Sequence, residues 1–140
     1  MCFFYGINKS IQYIEIAFNA KFDNLEFELM KEVNGFSHPF IPIIVEKTSD
    51  SITAANWGLL PTWAKDTSVQ KNIFNARIET IDEKACFKNA IKNGCLIPTT
   101  QFYKWQWKDP KGKENEKLGI TTNEHIFAFA CAVVGGISGY

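Results

Sequence analysis

Residues 102–107, FYKWQW, alternate aromatic and polar side chains, and this period of two is typical of a β-strand. The charged loop after them contains Pro110 and Gly112, which predicts a hairpin turn. No run of apolar residues approaches the roughly 20 residues of a membrane span, so no membrane association is expected. Further short strand-like runs occupy residues 43–45, 52–57 and 95–98. A chain with this pattern is expected to be rich in β-structure.

Helical spacing of apolar residues is limited to short segments. Residues 11–18 follow Ser10, a candidate helix cap, and residues 81–90 are also predicted to form a helix. Two last strands, residues 118–121 and 126–134, are expected to pair with each other as a hairpin. We therefore predict an α+β fold, dominated by a mostly antiparallel, curled sheet with a few short helices.

Composition restricts the possible classes of protein. The chain has 140 residues, which suits a single domain over 1–140, and its 46% hydrophobic and 14% aromatic content argues against disorder. Its formal net charge is zero, whereas a strong non-specific nucleic-acid binder usually carries a basic surplus. No signal peptide is evident, and a cytoplasmic location is expected, with nucleoid association if the source is bacterial.

The four cysteines are widely spaced and form no CxxC pair, and there are only two histidines, so no metal site and no cofactor are expected. Cys86, Cys95 and Cys131 lie in apolar contexts and are predicted to be small core residues with reduced thiols.

Residues 57–79 combine Trp57, Trp63 and Arg77. A tryptophan presents a flat face, and an arginine grips phosphate with a bidentate fork, so this stretch is able to stack bases and hold a phosphate backbone. The alternative is structural: both tryptophans anchor the core and the arginine forms an ion pair.

Cys2 is the residue that most specifically indicates a chemical reaction. Removal of Met1 leaves an α-amine and a thiol on adjacent carbons. The amine, with a pKa of about 7.7 to 8.0, is partly neutral near pH 7 and can attack an aldehyde to form a Schiff base. The thiol then closes a five-membered thiazolidine ring. The alternative is that Cys2 merely follows the start codon.

Several motifs occur in one order with short spacings. These are Met1-Cys2, WGLLPTWA at 57–64, NARIET at 75–80, CLIP at 95–98 and QFYKW at 101–105. Together they resemble the SRAP family (SOS response-associated peptidases, or abasic-site processing proteins) over essentially the whole chain.

The resemblance implies a β-rich domain that crosslinks abasic sites in single-stranded DNA through a thiazolidine at Cys2. It also implies that Asn75 hydrogen-bonds the reacting sugar and the N-terminus. In the DNA groove, the family pattern assigns Arg77 to phosphate contact, Trp63 to the channel wall and Asn34 to the pocket lining. The family name further implies an autopeptidase that removes the residue before the cysteine.

Two departures from the family pattern bear on activity. Lys104 stands where the family has a glutamate that assists proton transfer, and an ammonium repels the cationic iminium intermediate. The family's H-x-R-M-P segment is absent, so the C-terminal part of the family domain is expected to be missing, together with its catalytic histidine. An alternative function is therefore a weakened or inactive module that binds single-stranded DNA with Trp63, Arg77 and Trp105. The oligomeric state is left open.

Overall fold

The computed structural model describes residues 3–23, 28–74 and 76–133. In chain order the main elements are β1 (Phe4–Ile7), α1 (Ile11–Phe18), β2 (Lys21–Phe22), β3 (Met30–Asn34), β4 (Phe40–Val45), β5 (Thr48–Asn56), β6 (Gly94–Thr99), β7 (Gln101–Trp107), β8 (Asn115–Ile120) and β9 (Phe127–Ala132). Short 3₁₀ helices span Gly35–Ser37 and Thr67–Asn72. The predicted β-rich α+β fold is confirmed.

The strands are divided between two sheets. The first has the order β3-β1-β7-β8, and the second has the order β2-β5-β4-β6-β9. Every pairing is antiparallel except that of β2 with β5, among the residues described. The mostly antiparallel character predicted from the sequence is thus present, but the strands are shared between two sheets.

Thr100 joins the two sheets where the chain leaves β6 and enters β7. Its N–H donates to Gly6 O at 2.9 Å, and its hydroxyl donates to the same oxygen at 3.0 Å. The hydroxyl also accepts from the N–H of Asn8 at 3.2 Å. Because these bonds satisfy a buried polar residue, Thr100 fastens the start of β7 to the end of β1.

The core lies between the sheets and under helix α1. It consists mainly of β-branched side chains, which fit the pleated surface of a strand. The helix begins after Ser10, whose side chain accepts from the N–H of Tyr13 at 3.2 Å, as its capping role predicts. Its buried residue is Ile14. The buried cluster contains Tyr5, Ile7, Ile14, Ala20, Val33, Ile41, Ile43, Ile44, Val45, Ile52, Cys95 and Ile97.

The hairpin predicted between the last two strands is wrong. Strand β8 pairs with β7, and β9 pairs with β6 in the other sheet. The turn that directs β8 back along β7 is organised by Asp109, whose carboxylate accepts from the N–H groups of Lys111, Lys113 and Glu114 at 3.1, 2.8 and 2.7 Å. Because β6 and β7 belong to different sheets, β9 is added beside β6 in one sheet and β8 beside β7 in the other.

The helix predicted over residues 81–90 is also wrong, since this segment is a succession of turns. Phe87 and Ala90 are buried as expected. Two buried residues form an apolar face too narrow to stabilise a helix by packing against the core. Among the internal cysteines, Cys95 is buried as predicted and Cys86 is partly exposed. Cys131 is exposed, because β9 is the outer strand of its sheet. No helix in the described ranges is long and apolar enough to cross a bilayer.

Candidate nucleic-acid interface

The predicted residues Cys2 and Asn75 lie outside the described residues, but the residues next to them are described and in contact. Phe3 and Phe74 meet edge to face, with ring centroids 5.9 Å apart. Residues far apart in the sequence are therefore brought together at this point, one of them following Cys2 and the other preceding Asn75.

Two further rings complete what we call the N-terminal aromatic cluster, which comprises Phe3, Phe36, His38 and Phe74. Phe36 stacks on Phe3 at 4.9 Å and meets Phe74 edge to face at 5.1 Å. His38 stacks on Phe74 at 5.2 Å with an interplanar angle of 15°. Phe36 remains 54% exposed, so the cluster presents an aromatic face to solvent beside the start of the chain.

The backbone around Asn34 and Gly35 sets the position of this cluster. Asn34 Oδ1 accepts from the N–H of Phe36 at 3.0 Å, which begins the 3₁₀ turn that turns Phe36 toward Phe3. The N–H of Gly35 donates to Phe3 O at 2.8 Å. A Cβ on Gly35 would lie 3.1 Å from the Trp57 ring and 3.2 Å from Phe3 O, so a side chain here would push these neighbours apart by a few tenths of an ångström. Asn34 thus has a local capping role, and its part in lining a pocket stays a prediction.

His38 is held by several contacts. Its ring nitrogen Nδ1 lies 2.9 Å from Trp57 O. Because a carbonyl oxygen can only accept, Nδ1 carries the hydrogen and donates it. Its backbone adopts the left-handed conformation, with φ at 50°, and the side-chain amide of Asn56 donates to its carbonyl at 2.7 Å. Its position beside Phe74 arises from a contact between distant segments, and no local sequence pattern indicates it.

The two tryptophans of the 57–64 motif have different surroundings. Trp57 is half-buried and packs against the core, and its ring centroid lies 5.4 Å from that of Tyr5. This agrees with the structural interpretation, in which the tryptophan anchors the core. Trp63 is 57% exposed and lines a small surface depression with Pro61, Cys86 and Asn89, among others. Arg77 is also exposed. Trp63 and Arg77 are therefore accessible to a ligand.

A second group of rings surrounds Lys117 on β8. The Lys117 Nζ lies 4.3 Å from the centroid of Tyr103 and 5.6 Å from those of Phe4 and Trp105, at cation–π distances. It also forms an ion pair with Glu32. Trp105 is 44% exposed and lies directly opposite Lys117 in the register of β7 and β8. The alternation of β7 is visible in the sequence, but the position of Lys117 opposite Trp105 depends on how β7 and β8 pair.

The two groups are continuous through Phe4. The Phe4 ring lies 6.2 Å from Phe36 in the N-terminal aromatic cluster and 4.9 Å from Trp105 beside Lys117. An aromatic surface therefore extends from His38 to Trp105 across the first strand.

Lys104 is half-buried on β7. Successive residues of a strand point to opposite faces, so Lys104 shares the interior face of Phe102, and Tyr103 lies on the other face. Phe102 pairs with Tyr5, and continuing that antiparallel register by two residues would set Lys104 opposite Phe3. On that register, the lysine that stands at the motif's glutamate position would face the residue that follows Cys2.

These features define a β-rich two-sheet domain with an exposed aromatic and cationic surface around its N-terminal strand. The family model described as SOS response associated peptidase (SRAP) matches residues 1–134. The chain therefore belongs to the SRAP family.

Relatives of known name support the same assignment. The chain is 36% identical over 95 residues to the abasic site processing protein YoqW of Bacillus subtilis (strain 168), covering 67% of this chain and 42% of YoqW. It is 39% identical over 70 residues to the abasic site processing protein HMCES of Rattus norvegicus, covering 44% of this chain and 20% of HMCES. The matched parts amount to less than half the length of these relatives.

Solved structures agree with the fold. A crystal structure of a Bacteroides thetaiotaomicron protein matches with a TM-score of 0.78 and 28% identity, covering 92% of this chain and 58% of that one. A Bordetella bronchiseptica protein matches with a TM-score of 0.75 and 19% identity, over 92% of this chain and 62% of that one, which is a likeness of fold alone.

Proposed function

We propose that this chain processes abasic sites in single-stranded DNA, and that it forms a covalent DNA–protein crosslink through Cys2 after removal of Met1. The contact between Phe3 and Phe74 carries this proposal, because it joins the segments that bear the predicted nucleophile and the predicted amide. Membership of the SRAP family and the names of the two relatives support abasic-site processing as the general role.

The chemistry follows from the aminothiol. The neutral α-amine of Cys2 attacks the aldehyde carbon of the ring-opened abasic sugar, and uptake of a proton with loss of water gives an iminium. The Cys2 sulfur then adds to the same carbon, and the thiol proton leaves to solvent. The product is a thiazolidine ring that contains the former amine nitrogen, the sulfur and the aldehyde carbon. Asn75 is proposed to hold the sugar and the amine by hydrogen bonds.

The surface around the first strand is suited to an unpaired strand of DNA. Unpaired bases stack on exposed aromatic faces, and each such contact contributes about 1–3 kcal/mol. Phe36, Trp63 and Trp105 are the exposed rings proposed for this role. Arg77 is proposed to bind phosphate, and Asn34 to contribute beside Phe36. Since the formal net charge is zero, undamaged DNA should bind weakly.

A crosslinking assay tests the proposal. The purified protein is incubated with a single-stranded oligonucleotide that bears one abasic site, and the products are separated on a denaturing gel. We expect a species of lower mobility that survives denaturation. The variant Cys2→Ala should abolish it, because the thiol that closes the ring is gone, whereas Cys86→Ala should retain it as a matched control.

The same assay includes a strand whose abasic site has been reduced to the alcohol. This strand has no aldehyde and should give no crosslink. A crosslink that persists in Cys2→Ala would show that another nucleophile reacts and would overturn the assignment. Intact mass spectrometry of the wild type should show loss of Met1, because a retained methionine blocks the amine.

The second candidate function is binding of single-stranded DNA without covalent chemistry, and Lys104 at the motif's glutamate position favours it. Fluorescence anisotropy with a labelled strand separates the two. Binding that is weakened by Trp63→Ala and Arg77→Ala, together with no crosslink in the first assay, would establish the binding module in place of the crosslinker.

A further inference from the structure

We infer that Cys95 and Cys131 form an oxidisable dithiol, a modification site at which a small disulfide converts the two thiols into an intramolecular disulfide between β6 and β9. The two cysteines are direct register partners in that antiparallel pair. Neither residue belongs to the surface proposed to bind DNA, so the inference is independent of the function proposed above.

The strand geometry brings the thiols within reach of one another. The N–H of Val133 donates to Asn93 O at 3.0 Å, so these opposed residues form a hydrogen-bonded pair, and Cys95 with Cys131 is the next pair of the same type. The Cα atoms of such a pair are about 5.5 Å apart, within the range of about 4.4–6.8 Å found for disulfides. Closure requires the Cβ atoms, which are about 5.5 Å apart in a pair of this type, to approach by about 1–2 Å.

The two thiols have unequal environments, which suits them to successive roles. Cys131 is exposed on the outer strand, and Cys95 is buried with 5% exposure. A hydrogen bond from the Cys95 thiol lowers the pKa of Cys131 to about 7. The same hydrogen bond and burial raise the pKa of Cys95. Cys131 is therefore the thiol that is reached and ionised first.

The reaction balances with a small disulfide such as oxidised glutathione. The Cys131 thiolate attacks one sulfur of the small disulfide and displaces the other sulfur as a thiolate, which gives a mixed disulfide on Cys131. The Cys95 sulfur, after losing its proton, attacks Cys131 Sγ and displaces the second small thiolate. The protein loses two thiol protons and two electrons, and one small disulfide becomes two small thiols. The new bond ties the outer strand β9 to β6.

Tryptic mapping provides the test, because lysines place the four cysteines in separate peptides, namely residues 1–9, 85–88, 93–104 and 118–140. The reduced protein is treated with oxidised glutathione under native conditions, free thiols are alkylated, and the digest is analysed without reductant. We expect a linked pair of peptides 93–104 and 118–140 that disappears on treatment with dithiothreitol. Hydrogen exchange in residues 127–132 should become slower in the oxidised protein.

Variants make the outcome decisive. Cys131→Ser alters an exposed residue and should fold, as circular dichroism would show, yet lose the linked peptides completely. Cys86→Ser and Cys2→Ala should retain them. Absence of the link in the folded wild type would overturn the inference. So would a link that involves residues 1–9 or 85–88, a link between two molecules seen on a non-reducing gel, or unchanged exchange in β9.

Discussion

Tyr5 shows at the scale of a single residue that a core side chain can carry an unused polar group. It is 1% exposed, and its hydroxyl has no hydrogen-bond partner among the described residues. Burial raises the pKa of this phenol well above its usual range, because the ionised form would be unsolvated. A buried hydroxyl without a partner has lost its hydration and gained nothing in return.

We therefore expect Tyr5→Phe to leave the free energy of unfolding unchanged or to raise it by about 1 kcal/mol. Urea denaturation followed by fluorescence measures this. Tyr103→Phe is the matched control with the opposite sign, since that hydroxyl donates to Lys31 O at 3.1 Å and accepts from Gln101 Nε2 at 2.6 Å. A loss of more than about 1 kcal/mol in Tyr5→Phe would mean that the hydroxyl is satisfied in solution.

Lys104 is the departure from the family motif that we expect to slow the proposed reaction. A carboxylate at its position stabilises the cationic iminium and accepts a proton, whereas an ammonium does neither. We expect Lys104→Glu to raise the initial crosslinking rate by about 10-fold or more, since acid–base groups contribute about 10²–10⁴-fold.

Lys111→Glu in the exposed hairpin loop controls for the change in net charge and should leave the rate unaffected. Rates are taken from time courses on denaturing gels with an excess of abasic DNA. An unchanged or lower rate in Lys104→Glu would place Lys104 outside the pocket.

At the scale of elements, the 3₁₀ turn Gly35–Ser37 fixes the first strand against the segment that contains Phe74. Gly35→Ala adds a methyl group 3.1 Å from the Trp57 ring and 3.2 Å from Phe3 O, so these groups must separate. We expect a loss of about 1–3 kcal/mol in the free energy of unfolding, as is typical of overpacking. Crosslinking should slow as well, since Phe3 moves.

Gly119→Ala is the control, because its added methyl would lie 3.6 Å from the Tyr103 ring, an ordinary van der Waals distance. Thermal unfolding and the gel assay report the two effects. If Gly35→Ala behaves like Gly119→Ala in both, the turn does not position the first strand.

At the scale of the whole molecule, the sequence predicted most elements but not how they assemble. The strand signals at 43–45 and 102–107 and the helix after Ser10 depend on local spacing, and the structure confirms them. The partner of β8 depends on the change of sheet at Thr100, which no local pattern reveals. The turns over residues 81–90 likewise reflect what the core accommodates.

The candidate site also combines residues that the sequence indicated with contacts that only the fold creates. The sequence motif singled out Trp63 and Arg77, and both are exposed. The stacking of His38 on Phe74 and the rings around Lys117 arise from contacts between distant segments, so the sequence did not predict them. The assigned roles of Cys2 and Asn75 remain predictions, because both residues lie outside the described ranges.

Strand β1 lies between a strand that precedes the middle of the chain and one that follows it, and this affects folding during translation. Tyr5 pairs with Val33 on one side, but its other partner is Phe102. During translation the first strand is therefore half-finished until most of the chain has left the ribosome. Contacts of such long sequence separation slow folding. Cys2 would therefore be synthesised well before the aromatic surface around the first strand, which we propose binds DNA, is complete.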